Sequence, residues 1–345
     1  MKACVLEDIG KLECKDVKDP VMKPGEVLLR VRACGVCSSD IPRIFETGTY
    51  HFPTIPGHEF SGEIIDAYDE ENRALIGKRA VVFPLIPCRE CPSCKEEEYA
   101  RCDNYNYFGS RCDGGMAELL AVPVWNLVFF SDALDFSMAA LCEPASVAGH
   151  AVDRGGVKTG ESVVVIGTGT VGILEAFWAK AKGAAKVVVA GRSEEKLDFI
   201  KGLGFNDVIN TSKQNPEKAV KELTGGRGAD VSLECVGNPE AVSTAVVCTK
   251  KGGRVVLTGN PSGDITFEKA VYWKILRNEL SVIGTWNSSF SEKKNDWKKT
   301  ISYMEKGLLP ADRLVTHRFP LSDTYKALDV LRDRSLFSIK AMILP

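Results

Sequence analysis

The spacing of hydrophobic and polar positions changes in character near residue 146. Before that point, apolar and β-branched residues form short runs, such as 27–33 and 78–83, which Gly and Pro interrupt. This pattern is typical of a β-rich domain. After it, short apolar runs alternate with longer segments whose apolar residues repeat at helical spacing. The sequence therefore predicts two kinds of domain.

The alternating region predicts a parallel sheet with crossover helices. Its apolar runs predict strands at 162–166, 186–190, 208–209, 230–234, 254–258 and 280–285. Its helical patterns predict one helix ending near 182 and others at 194–203, 216–224 and 239–247. Strands and helices of this size form right-handed βαβ units, so we expect an α/β fold with a doubly wound, Rossmann-type sheet.

The last part of the chain does not continue this alternation. A charge-rich helical stretch at 293–306 and a strand at 339–344 follow residue 287, and we assign both to the first domain. We therefore expect a β-rich domain at 1–147, an inserted Rossmann-type domain at 148–287, and a return to the first domain at 288–345. A length of 345 residues suits two domains better than one core.

Composition and charge exclude several classes of function. The 44 basic and 46 acidic residues give a net charge of −2, so no bulk attraction to nucleic acid or to an anionic membrane follows. No apolar run resembles a signal peptide or reaches the length of a membrane span. We therefore expect a cytoplasmic protein in which the twelve cysteines are thiols or metal ligands.

Four of these cysteines form the most specific motif in the chain. The spacing C-x2-C-x2-C-x7-C brings together Cys88, Cys91, Cys94 and Cys102 within a lobe at 86–104. Four thiolates suit a closed tetrahedral Zn²⁺ site, which is structural because no position is left for a substrate. Disulfides and an iron–sulfur cluster are the alternatives. The mixed to acidic charges around the motif do not favour a nucleic-acid-binding zinc ribbon.

A glycine-rich turn predicts a dinucleotide site. The motif G-x-G-x-x-G follows the strand at 163–166, opens a helix, and consists of Gly167, Thr168, Gly169, Thr170, Val171 and Gly172. Its glycines let the backbone turn tightly and approach a pyrophosphate, while the helix N-terminus supplies oriented N–H groups.

The end of the next strand bears on the choice of coenzyme. An NAD site has a carboxylate there for the ribose 2′-hydroxyl, but this chain has Gly191, Arg192 and Ser193. Without the acid, Arg192 can pair with a 2′-phosphate, Ser193 can donate to it, and Lys196 adds charge one turn later. The sequence favours NADP over NAD. The alternative is a plain helix start, capped by Ser193, with Arg192 in solvent.

A second set of metal-type residues is scattered along the first domain. Cys37, His58 and Glu143 offer a thiolate, an imidazole and a carboxylate, which would leave the fourth position of a tetrahedral Zn²⁺ open for catalysis. Spacing alone does not show that they meet, and each residue type also occurs in purely structural positions.

Several motifs, taken together and in order, resemble those of a known family. They are C-S-S-D at 37–40, G-H-E-F-S-G at 57–62, the four-cysteine lobe, D-G-G-M-A-E at 113–118, E-P at 143–144 and the glycine turn. Across essentially its whole length the chain resembles the zinc-containing medium-chain alcohol/polyol dehydrogenases, whose catalytic domain is GroES-like. Residues 39–45, 57–62, 108–111 and 282–286 resemble the galactitol-1-phosphate 5-dehydrogenase branch.

This resemblance implies roles for individual residues. Cys37, His58 and Glu143 would hold the catalytic zinc, Glu59 would lie beside it or bind it transiently, and Asp40 would orient a ligand. Ser39 would pass the substrate proton toward solvent. Two departures stand out: relatives carry an acid where Gly191 stands, and Pro42 replaces a histidine that ends the proton relay in several alcohol dehydrogenases.

The implied reaction is hydride transfer between a secondary alcohol and NAD(P). The expected substrate is a sugar alcohol or sugar-alcohol phosphate similar to galactitol 1-phosphate. Candidate substrate contacts are Arg43, Phe45, Phe108, Arg111 and Trp286. A free-polyol (sorbitol or L-iditol) 2-dehydrogenase and a non-catalytic coenzyme-binding regulator remain as alternatives. Relatives form homodimers or homotetramers, so we expect a homo-oligomer with no nucleic-acid or membrane partner.

Overall fold

The computed structural model describes all 345 residues. Its strands are, in chain order, β1 (Lys2–Asp8), β2 (Lys11–Asp16), β3 (Glu26–Gly35), β4 (Glu59–Ala67), β5 (Arg79–Val82), β6 (Leu85–Ile86), β7 (Asn106–Tyr107), β8 (Leu119–Pro123), β9 (Leu127–Phe129), β10 (Ser162–Ile166), β11 (Lys186–Gly191), β12 (Val208–Asn210), β13 (Ala229–Glu234), β14 (Thr249–Leu257), β15 (Ser281–Gly284), β16 (Val315–Pro320) and β17 (Lys340–Leu344).

The α-helices are α1 (Asp40–Pro42), α2 (Pro92–Lys95), α3 (Phe136–Ala140), α4 (Cys142–Arg154), α5 (Thr170–Ala181), α6 (Glu194–Gly202), α7 (Pro216–Leu223), α8 (Pro239–Cys248), α9 (Lys269–Arg277), α10 (Asp296–Glu305) and α11 (Thr324–Arg332). Short 3₁₀ turns and one π turn (Arg43–Thr47) link several of them. No helix is both long enough and apolar enough to cross a bilayer.

The chain forms two compact units. The first consists of Met1–Glu143 and Ser289–Pro345, and the second of Pro144–Ser288. The predicted start of the inserted domain, residue 148, lies four residues after the observed one, and its predicted end, 287, lies one residue before it.

The second unit contains a six-stranded parallel sheet in the order β12-β11-β10-β13-β14-β15. This is the doubly wound strand order of dinucleotide-binding domains. Successive strands are added on one side of β10 and then, after β12, on its other side. β10 reads Ser-Val-Val-Val-Ile and is buried on both faces, as a central parallel strand requires. Helices α7 and α8 each begin with Asn as the cap and Pro as the first residue, which are strong helix start signals.

The first unit is built on a seven-stranded sheet. Its strands run in the order β16-β17-β3-β4-β5-β9, and β8 also pairs with β3. The hairpin β1–β2 and the small ladder β6–β7 lie outside this sheet. Alternate residues of β3 are buried, so that one face of the strand contributes Val27, Leu29 and Val31 to the core. The predicted fold class, a Rossmann-type sheet with a β-rich GroES-like domain, is confirmed.

One expectation about the cysteines is wrong. Cys4 and Cys14 form a disulfide, whereas the sequence predicted thiols or metal ligands throughout. The two residues are directly opposite in the antiparallel register of β1 and β2. Cross-strand neighbours have Cβ atoms within bonding reach of a disulfide, and the sequence did not reveal that register.

Candidate active site

Three potential metal ligands meet in the first unit. The ligand atoms of Cys37, His58 and Glu59 all lie within 4.8 Å of one another. Cys37 lies in the loop after β3, His58 directly precedes β4, and Glu59 is the first residue of β4. Because β3 and β4 are antiparallel neighbours with Gly35 opposite Glu59, the end of one strand and the start of the next bring these side chains together.

Asp40 holds two of these residues in place. Its Oδ2 accepts a hydrogen bond from the Cys37 N–H (2.9 Å), and its Oδ1 lies 3.3 Å from His58 Nδ1. Asp40, 1% exposed, is almost wholly buried. Burial alone would lower the pKa of His58, but the Asp40 carboxylate and Cys37 outweigh it and raise that pKa well above its usual value. A carboxylate behind a histidine is the usual arrangement around a metal-binding imidazole.

Glu59 has a cationic partner that the sequence analysis did not identify. The Lys340 ammonium, on β17, donates to Glu59 Oε1 (2.8 Å) and Oε2 (2.6 Å) and to the Val36 carbonyl (3.1 Å). Both side chains are buried. The available signal was a single charged residue within the apolar run 339–344, but nothing in the sequence named its partner.

Glu143 lies outside the group of three but is coupled to it electrostatically. It is buried in the first turn of α4, and burial raises its pKa to about 7, with the His58 charge opposing and the Glu59 charge adding to the rise. The predicted set of Cys37, His58 and Glu143 therefore differs from the observed cluster, in which Glu59 supplies the carboxylate.

Ser39 connects the cluster to a guanidinium. Its hydroxyl lies 3.2 Å from Cys37 Sγ, and Arg43 Nη1 donates to the same hydroxyl at 3.1 Å. Arg43 also lies 3.7 Å from Asp40 Oδ1. Tyr107, a second residue that the sequence analysis missed, has its ring 5.8 Å from that of His58. Burial and the Glu143 charge raise the pKa of the Tyr107 hydroxyl well above its usual value.

The charges and donors of this site fit a divalent cation. Cys37 as thiolate, Asp40, Glu59 and Glu143 carry four negative charges when ionised, whereas Lys340 and Arg43 carry two positive ones, and His58 adds none in the neutral form that binds a metal. The buried excess of two negative charges is costly unless a cation offsets it. A thiolate, an imidazole and carboxylates are the ligands that Zn²⁺ takes in catalytic sites.

The four-cysteine lobe fits a second ion. The sulfur atoms of Cys88, Cys91, Cys94 and Cys102 lie within 4.8 Å of one another, and the closest pairs are 3.5 to 3.9 Å apart. A tetrahedron with metal–sulfur bonds near 2.3 Å needs sulfur separations of about 3.8 Å, whereas a disulfide needs about 2 Å. The Glu90 and Cys91 N–H groups lower the pKa of Cys88 to about 7, which favours the thiolate.

The glycine turn in the second unit has the form that a dinucleotide requires. β10 ends at Ile166, Gly169 caps α5, and Thr170 is its first residue. A Cβ on Gly172 would lie 2.3 Å from the Gly167 carbonyl oxygen, so glycine lets the helix approach the turn closely. Val171 follows Thr170 in the first turn of α5.

At the next strand end, the predicted coenzyme-selecting residues lie together. Arg192 is exposed and has no hydrogen-bond or ion-pair partner, and the Ser193 hydroxyl accepts from the Lys196 N–H as the cap of α6. A Cβ on Gly191 would lie 2.3 Å from Thr168 Cγ2. Close packing against Thr168 is therefore a physical reason for glycine at this position.

The remaining candidate substrate residues have varied surroundings. Phe108 is buried against Phe60, and Phe45 packs on the same core with its ring 5.7 Å from Tyr325. The Arg111 guanidinium lies over the rings of Tyr50 and Tyr105 and donates to the Tyr105 carbonyl. Trp286 belongs to the second unit and is exposed.

Comparisons with known proteins agree with this architecture. Residues 23–132 match the alcohol dehydrogenase GroES-like domain, and residues 170–306 match the zinc-binding dehydrogenase domain. The erythritol/L-threitol dehydrogenase of Mycolicibacterium smegmatis is 32% identical over 100% of this chain and 98% of its own length.

Two solved structures share the fold over the whole chain. The galactitol-1-phosphate dehydrogenase of Escherichia coli is 31% identical, with a TM-score of 0.90 and 100% of both chains covered. A zinc-binding dehydrogenase of Sinorhizobium meliloti, bound to NADP, is 28% identical, with a TM-score of 0.91 and 100% and 99% of the two chains covered. The chain therefore belongs to the zinc-containing medium-chain alcohol and polyol dehydrogenase family.

Proposed function

We propose that this protein oxidises a secondary hydroxyl of a sugar alcohol, or of a sugar-alcohol phosphate similar to galactitol 1-phosphate, to the ketose. The observation that carries the proposal is the cluster of Cys37, His58 and Glu59, in a chain that also has a dinucleotide turn after β10. When bound, zinc would supply a Lewis acid that favours loss of the hydroxyl proton, and NAD(P) would accept the hydride.

The residues of the chain have separate tasks in this reaction. Cys37 and His58 hold the metal, with a carboxylate from Glu143 or Glu59. Asp40 fixes the orientation of His58 and the backbone of Cys37. Ser39 relays the substrate proton toward solvent, releasing its own hydroxyl proton as it takes up the substrate's, and the hydrogen bond that Arg43 Nη1 donates to the Ser39 oxygen fixes the orientation of this hydroxyl. Because Pro42 stands in place of the relay histidine, the proton leaves through Ser39 rather than through an imidazole.

The two carboxylates have different roles that zinc analysis can separate. Lys340 neutralises Glu59, whereas no lysine or arginine forms an ion pair with Glu143. Replacing the true ligand by glutamine, in Glu59→Gln or Glu143→Gln, should lower the catalytic zinc, while replacing the other should leave zinc near the wild-type content. Elemental analysis measures the zinc content per chain of each variant. Cys112→Ser is the control because Cys112 lies outside both clusters.

We propose a second, structural zinc in the cysteine lobe and NADP as the preferred coenzyme. Four sulfur atoms at ligand spacing support the structural zinc. The unpaired Arg192 and the missing acid at Gly191 support NADP. Cys94→Ser should remove one zinc per chain, and catalytic efficiency with NADP should exceed that with NAD. A higher efficiency with NAD would contradict the coenzyme assignment.

A panel of substrates tests the function as a whole. Hexitols, pentitols and tetritols, each with and without phosphate, are assayed with both coenzymes. Higher catalytic efficiency on phosphorylated polyols supports a sugar-alcohol phosphate as the substrate. Arg43 and Arg111 are the candidate cations for its phosphate group. Higher efficiency on free polyols supports a free-polyol dehydrogenase, an activity class that the Mycolicibacterium relative's name also indicates. Tight coenzyme binding without zinc-dependent turnover on any polyol would overturn the proposal in favour of a regulator.

A further inference from the structure

A cavity in the second unit has no part in the proposed reaction. Its volume is about 650 Å³, and it lies between α7, the loop after α7, the start of β14 and α9. Thr249 and Lys250, at the amino end of β14, form part of its wall. The glycine turn follows the carboxyl end of β10, and β14 is parallel to this part of the sheet. The cavity is therefore at the opposite edge of the sheet from the coenzyme site.

Positive charge dominates the lining of this cavity. It contains Lys221, Arg227, Lys250, Lys251, Lys274 and Arg277, against the single carboxylate of Glu217. The lining thus carries an excess of five positive charges (six minus one), in a protein whose net charge is −2. Such a concentration of like charge in a concave surface attracts anions and raises their local concentration.

Some of these cations are fixed in position by partners. Glu217 Oε1 binds both Lys221 (2.8 Å) and Lys274 (2.5 Å), which ties α7 to α9. Asp230, on the neighbouring β13, pairs with Lys250. These pairs hold the ammonium groups in the wall, so that less side-chain entropy is lost when a ligand binds.

Other cations have no carboxylate partner. No acidic oxygen lies within 4.0 Å of Arg227, Lys251 or Arg277, and the Arg277 guanidinium lies 4.3 Å from the centre of the Trp273 ring. Lys269 lies over the same ring at 4.7 Å. Both cations thus lie over Trp273, and this ring orients Arg277.

We infer that this cavity binds a small anion with two or more phosphoryl groups. A single phosphate would leave most of the cationic charge unpaired, whereas a polyphosphate or bisphosphate can engage Arg227, Lys251 and Arg277 together. The volume suits a small molecule rather than a macromolecular surface. Inorganic polyphosphate, a sugar bisphosphate and a nucleoside triphosphate share this chemistry, and recognition depends on the phosphoryl groups rather than on a base.

Calorimetric titration of the zinc-loaded full chain, saturated with NADP, tests this inference. Saturation with coenzyme fills the other phosphate-binding site before tripolyphosphate, hexose bisphosphate or ATP is added. We expect one saturable site per chain for tripolyphosphate, with an affinity that falls steeply as salt is raised. ATP should bind no more tightly than tripolyphosphate, while a hexose bisphosphate that binds more tightly would identify an organic phosphate as the occupant.

The variant Arg227→Gln/Lys251→Gln should weaken tripolyphosphate binding about tenfold or more, because it removes two charge-assisted contacts. Lys158→Gln removes an exposed charge of the same unit outside the cavity and should bind as the wild type does. Turnover without added phosphate should be unchanged in both variants. Absence of saturable binding to the wild type at low salt, or equal binding by both variants, would overturn the inference.

Discussion

Lys340 is the residue on which the charge balance of the metal site depends most directly. Replacing it by methionine leaves the buried Glu59 carboxylate without its ammonium partner. Breaking a buried ion pair in this way costs about 3 to 5 kcal/mol. We expect Lys340→Met to lower the thermal midpoint of the zinc-loaded protein, measured by scanning calorimetry.

Lys340→Arg serves as the matched control because it keeps the positive charge. The thermal midpoint of this variant should be closer to that of the wild type than the midpoint of Lys340→Met is. A thermal midpoint of Lys340→Met equal to that of the wild type would show that the ion pair contributes nothing to stability.

The buried carboxyl of Glu175 predicts that the stability of the second unit depends on pH. Burial in α5 raises its pKa from 4.5 to about 7, while Cys235 and Thr258 donate hydrogen bonds that oppose the rise. The folded state keeps this proton between pH 4.5 and about 7, whereas the unfolded state has lost it. The contribution of this group to the free energy of unfolding is therefore largest at low pH. It falls by about 3 kcal/mol as the pH rises through that window.

Glu175→Gln removes this titration. Thermal midpoints across the same pH window should fall less steeply for the variant than for the wild type. Glu195→Gln, an exposed acid of the same unit, should follow the wild-type curve. Parallel curves for wild type and Glu175→Gln would contradict the prediction.

At the level of elements, the junction of β11 and α6 predicts how the coenzyme preference could be changed. Gly191→Asp would restore an acid for the ribose, but its Cβ would lie 2.3 Å from Thr168 Cγ2. The single variant should lose efficiency with both coenzymes because the β-branched Thr168 cannot easily turn away.

The double variant Gly191→Asp/Thr168→Ala relieves this contact. Its ratio of NAD to NADP efficiency should rise about a hundredfold over the wild type, since the new carboxylate repels a 2′-phosphate and accepts from the ribose hydroxyls. Steady-state kinetics with each coenzyme measures both variants. A single variant with full activity would show that Thr168 does not restrict this position.

Elements with strong local signals could be predicted from the sequence. The buried valine run of β10 and the Asn-Pro starts of α7 and α8 define these elements without help from the rest of the fold. Helix α9 was missed because its segment, Lys269–Arg277, mixes cations with exposed aromatics and has only Val271 buried. Local pattern carries little information where burial is slight.

The candidate site was predictable only in part, because some of its contacts depend on how distant strands pair. Cys37 and His58 lie in motifs that mark them as ligand candidates, but which carboxylate joins them depends on the register of β3 and β4. The Lys340–Glu59 pair joins residues 281 positions apart, and the Cys4–Cys14 disulfide depends on the pairing of β1 and β2. Single-sequence reasoning has no access to such tertiary pairings.

For the whole molecule, the β15 edge of the six-stranded sheet predicts self-association. β15 pairs only with β14, and Val282 in this strand is 47% exposed. An unpaired strand edge is a template for pairing with another strand, and two copies of β15 could join two sheets. We expect a homodimer, or a homotetramer built from such dimers.

Val282→Lys should shift the protein toward smaller species in analytical ultracentrifugation, because charge on an edge strand opposes pairing. Val21→Lys, an equally drastic change at a fully exposed position of the first unit, should leave the assembly unchanged. An unchanged sedimentation coefficient in Val282→Lys would place the interface elsewhere.

The first unit consists of two chain segments separated by the second unit, and this order has a consequence for biosynthesis. A ribosome makes Glu59, then the whole contiguous segment Pro144–Ser288, and only afterwards Lys340. The nascent second unit can thus acquire its structure while the carboxylate still lacks its counter-charge. The reaction centre is completed late in translation, so an incomplete polypeptide could capture coenzyme before it could turn over substrate.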